Sequence, residues 1–256
     1  MIGGITVSDY YKGKRTRNIY PGKGDRPFKL SRSKIDLFLG CPRCFYIDRR
    51  LGLGPPPGYP FNLNSAVDEL LKREFDRYRK KKIAHPLMEE FGVDAIPFQH
   101  EDLERWRDSL RRGIQFHHEK TNLLITGGVD DVWVNDNGEL LIVDYKATSK
   151  NGDVSLDAPW QIAYKRQMEI YQWLFERNGF TVNPTGYFVY CNGKRQTERF
   201  NNRLEFDVKI LPYTGTTTWV EQTILDIYEC LKSSAIPQSA DECDYCLYTR
   251  ELEELL

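Results

Sequence analysis

The stretch LLITGGVDDVWVNDNGELLIVDYK, residues 123–146, is the part of the chain that decides the fold. Its two flanks, 123–134 and 139–146, are rich in β-branched and apolar residues, as strands are. Between them, Asn137-Gly138 is a hairpin signal, because both residue types tolerate the positive φ of a tight turn. The sequence therefore predicts that the two flanks pair as antiparallel strands.

The turn also predicts the register of this hairpin. With a three-residue loop, Asn135 pairs with Glu139, and counting outward sets Asp130 directly opposite Asp144. Side chains alternate between the faces of a strand, so Lys146 shares the face of Asp144. Two carboxylates and an ammonium are thus expected at one point.

This charged trio suits a particular chemistry. Neighbouring carboxylates need a cation, and their hard oxygen atoms suit Mg²⁺ or Mn²⁺. The lysine is near enough to orient a water molecule or to neutralise charge that develops on a phosphate. A lone D-x-K triplet is more often an exposed hairpin whose charges face water, so metal-assisted phosphodiester hydrolysis needs support from other motifs.

A helix is predicted downstream of the hairpin, over residues 158–178. Pro159 can occupy its first turn and Gly179 can end it. Gln167 and Tyr171 then lie one turn apart on one face. The helix can pack on the sheet and present this polar pair at the same time.

Three motifs in this order resemble the RecB-like branch of the PD-(D/E)xK nucleases: Gly127-Gly128-Val129-Asp130, Val143-Asp144-Tyr145-Lys146 and Gln167 with Tyr171. The resemblance implies roles for six residues: metal ligation by Asp130, Asp144 and the backbone carbonyl of Tyr145, assistance to the attacking water by Lys146, and DNA contact within the active site by Gln167 and Tyr171. It also implies an α/β fold of the restriction-endonuclease type, with a central mixed sheet flanked by helices.

The resemblance departs from its pattern at Asp68. Relatives often carry a histidine at the corresponding place on a helix, whereas this chain has an aspartate within Asn64–Leu71. Asp68 could be a metal ligand, since it shares the face of apolar residues and needs a partner there. It could equally be an aspartate in the first helical turn, favoured by the helix dipole.

Two C-x-x-C pairs, Cys41 with Cys44 and Cys243 with Cys246, predict a four-thiolate metal site. No stretch looks like a signal peptide or a membrane span, so an intracellular, reducing location is expected and disulfides are not. Four thiolates suit zinc or a 4Fe-4S cluster, and spacing alone does not choose.

The segment Ser33–Gly52 resembles the opening helix of the iron-sulfur RecB-like nucleases, which include the AddB nuclease domain and the CRISPR-associated exonucleases. That resemblance implies a 4Fe-4S cluster joining the two chain ends around the nuclease core. Those relatives place one cysteine early and three late, whereas this chain has two and two. Zinc therefore stays open as the alternative.

Charge is unevenly distributed along the 256 residues, although the net charge is only -1. Residues 1–30 are predicted to be a basic, flexible segment, and 31–256 a single nuclease domain with a helical insertion. The run Lys72–Lys82 and a later group (Arg105, Arg107, Arg111, Arg112) are rich in cations. These could contact phosphates or be solvated helix faces. The nucleic-acid contacts predicted are Lys72, Arg73, Arg77 and Lys150.

The sequence as a whole predicts a Mg²⁺- or Mn²⁺-dependent DNA nuclease that attacks single strands or duplex ends. The alternative is a nucleic-acid-binding or scaffolding protein that kept the fold and lost the chemistry. No G-x-x-x-x-G-K motif is present, so any helicase activity is expected to come from a partner. Further elements predicted are strands at 185–191 and 203–210 and a helix at 216–232.

Overall fold

The computed structural model of this protein describes residues 13–22, 24–56, 58 and 62–256. Residues 1–12 of the predicted flexible segment lie outside the described residues. In the described part of that segment, Tyr20 is buried and meets Phe28 edge to face, with ring centroids 5.3 Å apart. The boundary at residue 30 stays a prediction.

The described helices are α1 (Arg32–Gly40), α2 (Pro42–Tyr46), α3 (Asn62–Lys81), α4 (Pro86–Glu90), α5 (Leu103–Arg107), α6 (Ile162–Arg177), α7 (Thr218–Lys232) and α8 (Asp244–Leu255). The described strands are β1 (Phe28–Ser31), β2 (Ile96–Pro97), β3 (Ile114–His118), β4 (Leu123–Gly127), β5 (Asp131–Val134), β6 (Leu140–Thr148), β7 (Thr185–Gly193) and β8 (Phe206–Thr214). None of these helices combines the length and the apolar character that crossing a bilayer requires.

The chain folds into two compact units. One is formed by the described residues within Met1–Pro60, His117–Ile125 and Glu221–Leu256, and the other by those within Phe61–Phe116 and Thr126–Val220. The single nuclease domain predicted over residues 31–256 stays a prediction.

The second unit contains a five-stranded mixed sheet in the order β2-β5-β6-β7-β8. β6 and β7 are parallel, and the other neighbours are antiparallel. The parallel pair is joined through α6, as a parallel connection requires a crossover. Val143, Phe188 and Val189 of these central strands are fully buried. The predicted α/β fold with a central mixed sheet is confirmed.

The hairpin between β5 and β6 has the predicted register. Asp131 pairs with Val143, and Val134 pairs with Leu140. The turn is closed by Gly138, whose φ of 78° lies in the left-handed region that glycine adopts without strain. One further step along this register sets residue 130 opposite residue 144, as the turn predicted.

Residues 123–134 do not form the single strand that the sequence predicted. They form β4 and β5, and β4 belongs to a separate three-stranded sheet in the order β1-β4-β3. A side-chain Cβ on Gly127 would lie 2.6 Å from a ring atom of Tyr171, and one on Gly128 would lie 2.4 Å from Cβ of Ser109. The two glycines let the backbone approach these neighbours closely at the point where the strand ends.

Other element boundaries shift by a few residues. The predicted 158–178 helix is a 3-10 turn, Pro159–Gln161, followed by α6. β8 starts three residues after the predicted strand and continues to Thr214, and α7 begins at Thr218. A helical insertion was predicted without bounds; between α3 and β3 the chain forms the short helices α4 and α5 and the short strand β2.

Helix α3 turns one side toward the core of the second unit. Leu71, Phe75 and Arg79, spaced four residues apart, are its buried residues. The Phe75 ring stacks on Trp133 of β5, with centroids 5.4 Å apart. Because Asp68 precedes Leu71 by three residues, this packing turns it toward the hairpin.

Candidate active site and metal centre

The two hairpin aspartates lie side by side, as the register requires. Asp144 is fully buried in the middle of β6, whereas Asp130 is half-buried just before β5. Oδ2 of Asp130 accepts a hydrogen bond of 2.9 Å from the backbone N–H of Tyr145. The structure thus brings together the predicted carboxylate pair, and the backbone of the next β6 residue helps to hold it.

Lys146 pairs with the carboxylate of Asp144. Its Nζ also lies over the ring of Tyr164, 4.5 Å from the ring centroid. Burial alone would lower the pKa of this ammonium, but the carboxylates of Asp144 and Asp130 outweigh burial and raise its pKa above the ordinary value. Lys146 therefore stays protonated at neutral pH and offers a positive charge and hydrogen-bond donors.

Gln167 and Tyr171 of α6 face the same carboxylate. Nε2 of Gln167 donates to Oδ1 of Asp144 at 2.6 Å and lies 3.2 Å from the hydroxyl of Tyr171. Both side chains are buried. The polar pair predicted from the sequence is therefore positioned behind Asp144.

Asp68 and Lys72, one turn apart on α3, complete this side of the site. Nζ of Lys72 lies 2.7 Å from Oδ2 of Asp68 and 3.4 Å from Oδ1 of Asp130, so its ammonium lies between two carboxylates. Burial and the nearby Asp130 raise the pKa of Asp68, although Lys72 acts in the opposite direction. Oδ1 of Asp68 is buried and has no hydrogen-bond partner.

These observations bear on the two alternatives for Asp68. Helix α3 begins at Asn62 and has no acidic residue in its first turn, so the helix-dipole explanation does not apply. An unpaired buried carboxylate oxygen needs a partner, and a cation is one. The position of Asp68 therefore suits a ligand better than an aspartate of the first helical turn.

A cleft of about 110 Å³ opens beside these residues. Its walls are formed by α3, the end of β6 and the start of α6, through Asn64, Val67, Asp68, Tyr145, Lys146, Ala147 and Tyr164. The cleft is large enough for an ion with bound water, since a water molecule occupies about 30 Å³ of liquid.

The donor atoms around the cleft fit a hard divalent cation. Carboxylate oxygens of Asp68, Asp130 and Asp144 are the atoms that Mg²⁺ and Mn²⁺ prefer. Among the described residues, however, these three aspartates do not form a group placed closely enough to share an ion, as the four cysteines do. The ammonium groups of Lys72 and Lys146 lie against the carboxylates instead.

A buried ionic network behind the site was not predicted. Asp131 is fully buried, and its Oδ1 contacts Arg79 at 2.5 Å and Arg107 at 3.1 Å. Its Oδ2 accepts 2.8 Å from the hydroxyl of Tyr145, and Arg107 also donates to the backbone carbonyl of Asp130 at 3.1 Å. The network therefore contacts both strands of the hairpin next to the carboxylate pair, at Asp130 and Asp131 on one strand and at Tyr145 on the other.

This network corrects one reading of the basic groups. The side chains of Arg107 and Arg79 are buried and paired with acids, so they are not the phosphate contacts or solvated ends that the cation-rich stretches suggested. The signal was in the sequence: Asp131 alternates with Asp130, so it must lie on the opposite, covered face of the sheet. A carboxylate at such a position needs a cation.

Of the four predicted nucleic-acid contacts, Arg73, Arg77 and Lys150 are exposed. Arg73 also pairs with Glu69 at 3.3 Å on the surface of α3. Lys72 is turned into the site instead. Sequence reasoning did not single out Trp160, whose exposed ring meets Tyr164 edge to face at 5.3 Å.

The four predicted cysteines meet in the first compact unit. Sγ of Cys44 lies 3.5 Å from that of Cys243 and 3.6 Å from that of Cys246, which is 3.8 Å from that of Cys41. These separations are far longer than the ~2.05 Å of a disulfide bond. The four side chains form the set whose donor atoms all lie within 4.8 Å, so they could hold a metal.

The pKa values of these thiols depend on the neighbouring thiols and on hydrogen bonds with the backbone. Burial would raise the pKa of Cys41, but hydrogen bonds from the backbone of Cys44 and Ala240 and from neighbouring thiols lower it to about 7. Burial raises the pKa of Cys246 to about 11. The remaining cysteines, Cys191 and Cys230, lie outside this set.

Comparison with known proteins agrees with the geometry of the hairpin. Residues 29–250 match the model of the PD-(D/E)XK nuclease superfamily. No curated protein matches the chain. A solved structure described as "Crystal structure of SSO0001" is 17% identical, with 89% of this chain and 86% of that chain covered and a TM-score of 0.40, a likeness too weak to carry an argument. The family match spans the hairpin, α6 and all four cysteines, and this chain belongs to the PD-(D/E)XK nuclease superfamily.

Proposed function

We propose that this protein is a DNA nuclease that depends on Mg²⁺ or Mn²⁺. The observation that carries the proposal is the pairing of Asp130 and Asp144 across the hairpin, where the ammonium of Lys146 pairs with the carboxylate of Asp144. A purely structural hairpin has no need of a buried carboxylate that is held by both a helix side chain and a lysine. Such an arrangement suits the hydrolysis of a phosphodiester.

The ligands proposed for the metal are the carboxylates of Asp68, Asp130 and Asp144 and the backbone carbonyl of Tyr145. When bound, the ion would polarise the phosphate and lower the pKa of a water molecule. The unpaired Oδ1 of Asp68 supports its place in this set, because ligation would satisfy that atom.

The other residues of the site are proposed to orient the Asp144 carboxylate and to stabilise the charge that develops on the phosphate. Lys146 stays charged and donates hydrogen bonds to the attacking water or to the phosphate, where negative charge grows during the reaction. Gln167 fixes the orientation of Asp144, and Tyr171 lies within hydrogen-bonding distance of Gln167. Each of these contacts reduces the freedom of a group that has to be in place before the reaction.

The proposed substrate is single-stranded DNA or an unpaired duplex end. Exposed cations at Arg73, Arg77 and Lys150 supply attraction for phosphates. Trp160 is 61% exposed, and its ring contacts the ring of Tyr164, which in turn lies under the ammonium of Lys146. An exposed aromatic ring near the reacting group can stack on an unpaired base. A base inside a duplex has no free face for this contact, because it is already stacked on its neighbours.

In this proposal the four-cysteine site holds a structural metal centre and takes no part in hydrolysis. A helicase, where one is needed to supply single strands, would be a separate partner.

The test is cleavage of a labelled oligonucleotide in the presence of Mg²⁺ or Mn²⁺. The parent protein should cut, and Asp144→Ala should reduce cutting to the background while DNA binding survives. Asp153→Ala, which removes an exposed aspartate paired with Lys209 at the surface, is the matched control and should cut like the parent. Equal cutting by Asp144→Ala and the parent would refute the proposed site.

A second function is favoured by one observation. Lys72 lies between Asp68 and Asp130, so a nucleic-acid-binding or scaffolding protein without cleavage could use the lysine in place of a metal. In that case the parent protein would bind DNA and would fail to cut it with either metal.

A further inference from the structure

The four cysteines form a site whose dimensions identify its ligand. The Sγ atoms of Cys41, Cys44, Cys243 and Cys246 lie within 4.8 Å of one another, and the closest contacts between the two pairs are 3.5, 3.6 and 3.8 Å. We infer that they bind one tetrahedral metal ion, zinc, and not a four-iron cluster. This inference does not depend on the proposed nuclease activity.

The first argument is the size of a tetrahedron. Zinc lies about 2.3 Å from each of four thiolates, and tetrahedral corners at that radius are about 3.8 Å apart. The three contacts between the pairs agree with this edge to within a few tenths of an ångström. Three of the six sulfur–sulfur separations therefore have the length that a single ion requires, and all six lie within 4.8 Å.

The second argument is that a four-iron cluster needs a wider site. In a cubane each thiolate binds a different iron, so two sulfur atoms are separated by two iron–sulfur bonds and the distance between two irons. Around one ion they are separated by two bonds alone. Sulfur atoms as close as those of Cys44 and Cys243 leave no room for two irons and their bridging sulfides between them.

The third argument is that the thiols do not form disulfides. Cys44 is almost equally far from Cys243 and Cys246, so the geometry shows no preferred pair. The backbone N–H of Ala240 also points to Sγ of Cys41 at 3.5 Å, as suits a thiolate that carries charge. A shared cation explains both features.

The chemical consequence is a site without redox function. Zinc has no accessible second oxidation state, so it can join the segment before α2 to the start of α8 and cannot pass electrons. The ion would stabilise the first compact unit by closing a loop that runs from residue 44 to residue 243.

The experiment is metal analysis of the full chain, expressed with iron and zinc both supplied and purified without oxygen. We expect one zinc per chain, little iron and no brown colour. Incubation of the metal-free protein with Co²⁺ should give the absorption of a tetrahedral thiolate complex, and incubation with Fe³⁺, sulfide and a thiol reductant without oxygen should not build a cluster. Cys243→Ser should lose the zinc and melt at a lower temperature.

The matched control is Cys230→Ser, which removes a cysteine outside the site and should keep the zinc. If Cys243→Ser fails to fold, the metal content and the Co²⁺ spectrum of the parent protein decide the matter alone. About four irons with sulfide, one iron, or no bound metal would each overturn the inference.

Discussion

Nε2 of Gln167 lies 2.6 Å from Oδ1 of Asp144, so a helix side chain fixes the orientation of a carboxylate in the centre of the sheet. Asp144 cannot turn freely, because Lys146 engages its carboxylate as well. The helix and the strand are therefore coupled at the atoms proposed to bind metal.

Removing this contact should impair the reaction more than the fold. Gln167→Ala should lower kcat by about 10- to 100-fold, the usual effect of losing a group that orients a ligand. The apparent affinity for Mn²⁺ should fall with it, whereas KM for DNA should change little. Cleavage rates at several Mn²⁺ concentrations measure both effects.

The same helix offers a control. Gln172 is also buried on α6, but it donates to the backbone carbonyls of Asn183 and Pro184. Gln172→Ala should lower the melting temperature and leave the metal dependence of cleavage unchanged. Similar kinetics for the two variants would mean that Gln167 is structural only.

Lys146→Ala should reduce turnover while metal binding survives. Its ammonium is proposed to stabilise charge that develops in the transition state, and the loss of one such donor costs about 10²- to 10³-fold in kcat. Mn²⁺ affinity, measured by calorimetry, should not fall, because a positive neighbour of Asp144 has been removed. Lys120→Ala changes an exposed lysine and should match the parent. Abolished metal binding in Lys146→Ala would instead make the lysine structural.

Lys72→Ala should strengthen metal binding. In the structure its ammonium shares Asp68 and Asp130, so a divalent cation has to compete with it. Because the ion pair is partly exposed, the Kd for Mn²⁺ should fall by about fivefold, which is equivalent to ~1 kcal/mol of binding free energy. Lys80→Ala, at the exposed end of α3, is the control. Weaker Mn²⁺ binding in Lys72→Ala would show that the lysine supports the site rather than competing with the ion.

The hairpin could be predicted because its information is local. Asn137-Gly138 selects the turn, the turn fixes the register, and the register brings Asp130 and Asp144 together. Gln167 and Tyr171 were equally accessible, since their spacing of one helical turn needs no tertiary information.

What the sequence did not predict depends on distant contacts. The partners of Asp131 come from α3 and from α5, and no local pattern links those segments to the hairpin. The end of β4 at Gly127 was missed for a similar reason, because a glycine within a strand pattern looks the same whether the strand continues or stops. The inward turn of Lys72 also depends on where α3 packs.

Asp131→Ala should destabilise the protein strongly. The variant removes the fully buried carboxylate that Arg79 and Arg107 share and leaves both on the half-buried Asp76, so the loss should approach the cost of removing one partner of a buried pair, about 3–5 kcal/mol. Urea unfolding measures this cost. Tyr145→Phe removes a single hydrogen bond to Asp131 and should cost only ~1 kcal/mol. Tyr145→Phe should still cleave DNA, since the carbonyl of residue 145 is unchanged. If Asp131→Ala is as stable as the parent, the ionic network does not stabilise the fold.

Trp160→Ala should weaken binding to single strands more than binding to a blunt duplex of the same sequence. Stacking on one base contributes ~1–3 kcal/mol, so Kd for a single-stranded oligonucleotide should rise by about 5- to 150-fold. Trp160→Phe should retain most of the affinity, because it keeps an aromatic face. The measurement is fluorescence anisotropy in the Asp144→Ala background, which binds DNA without cutting it. Phe200→Ala removes another exposed ring and should change neither Kd. An equal loss on both substrates would assign Trp160 to general DNA attraction, and no loss on either would exclude it from the path of the strand.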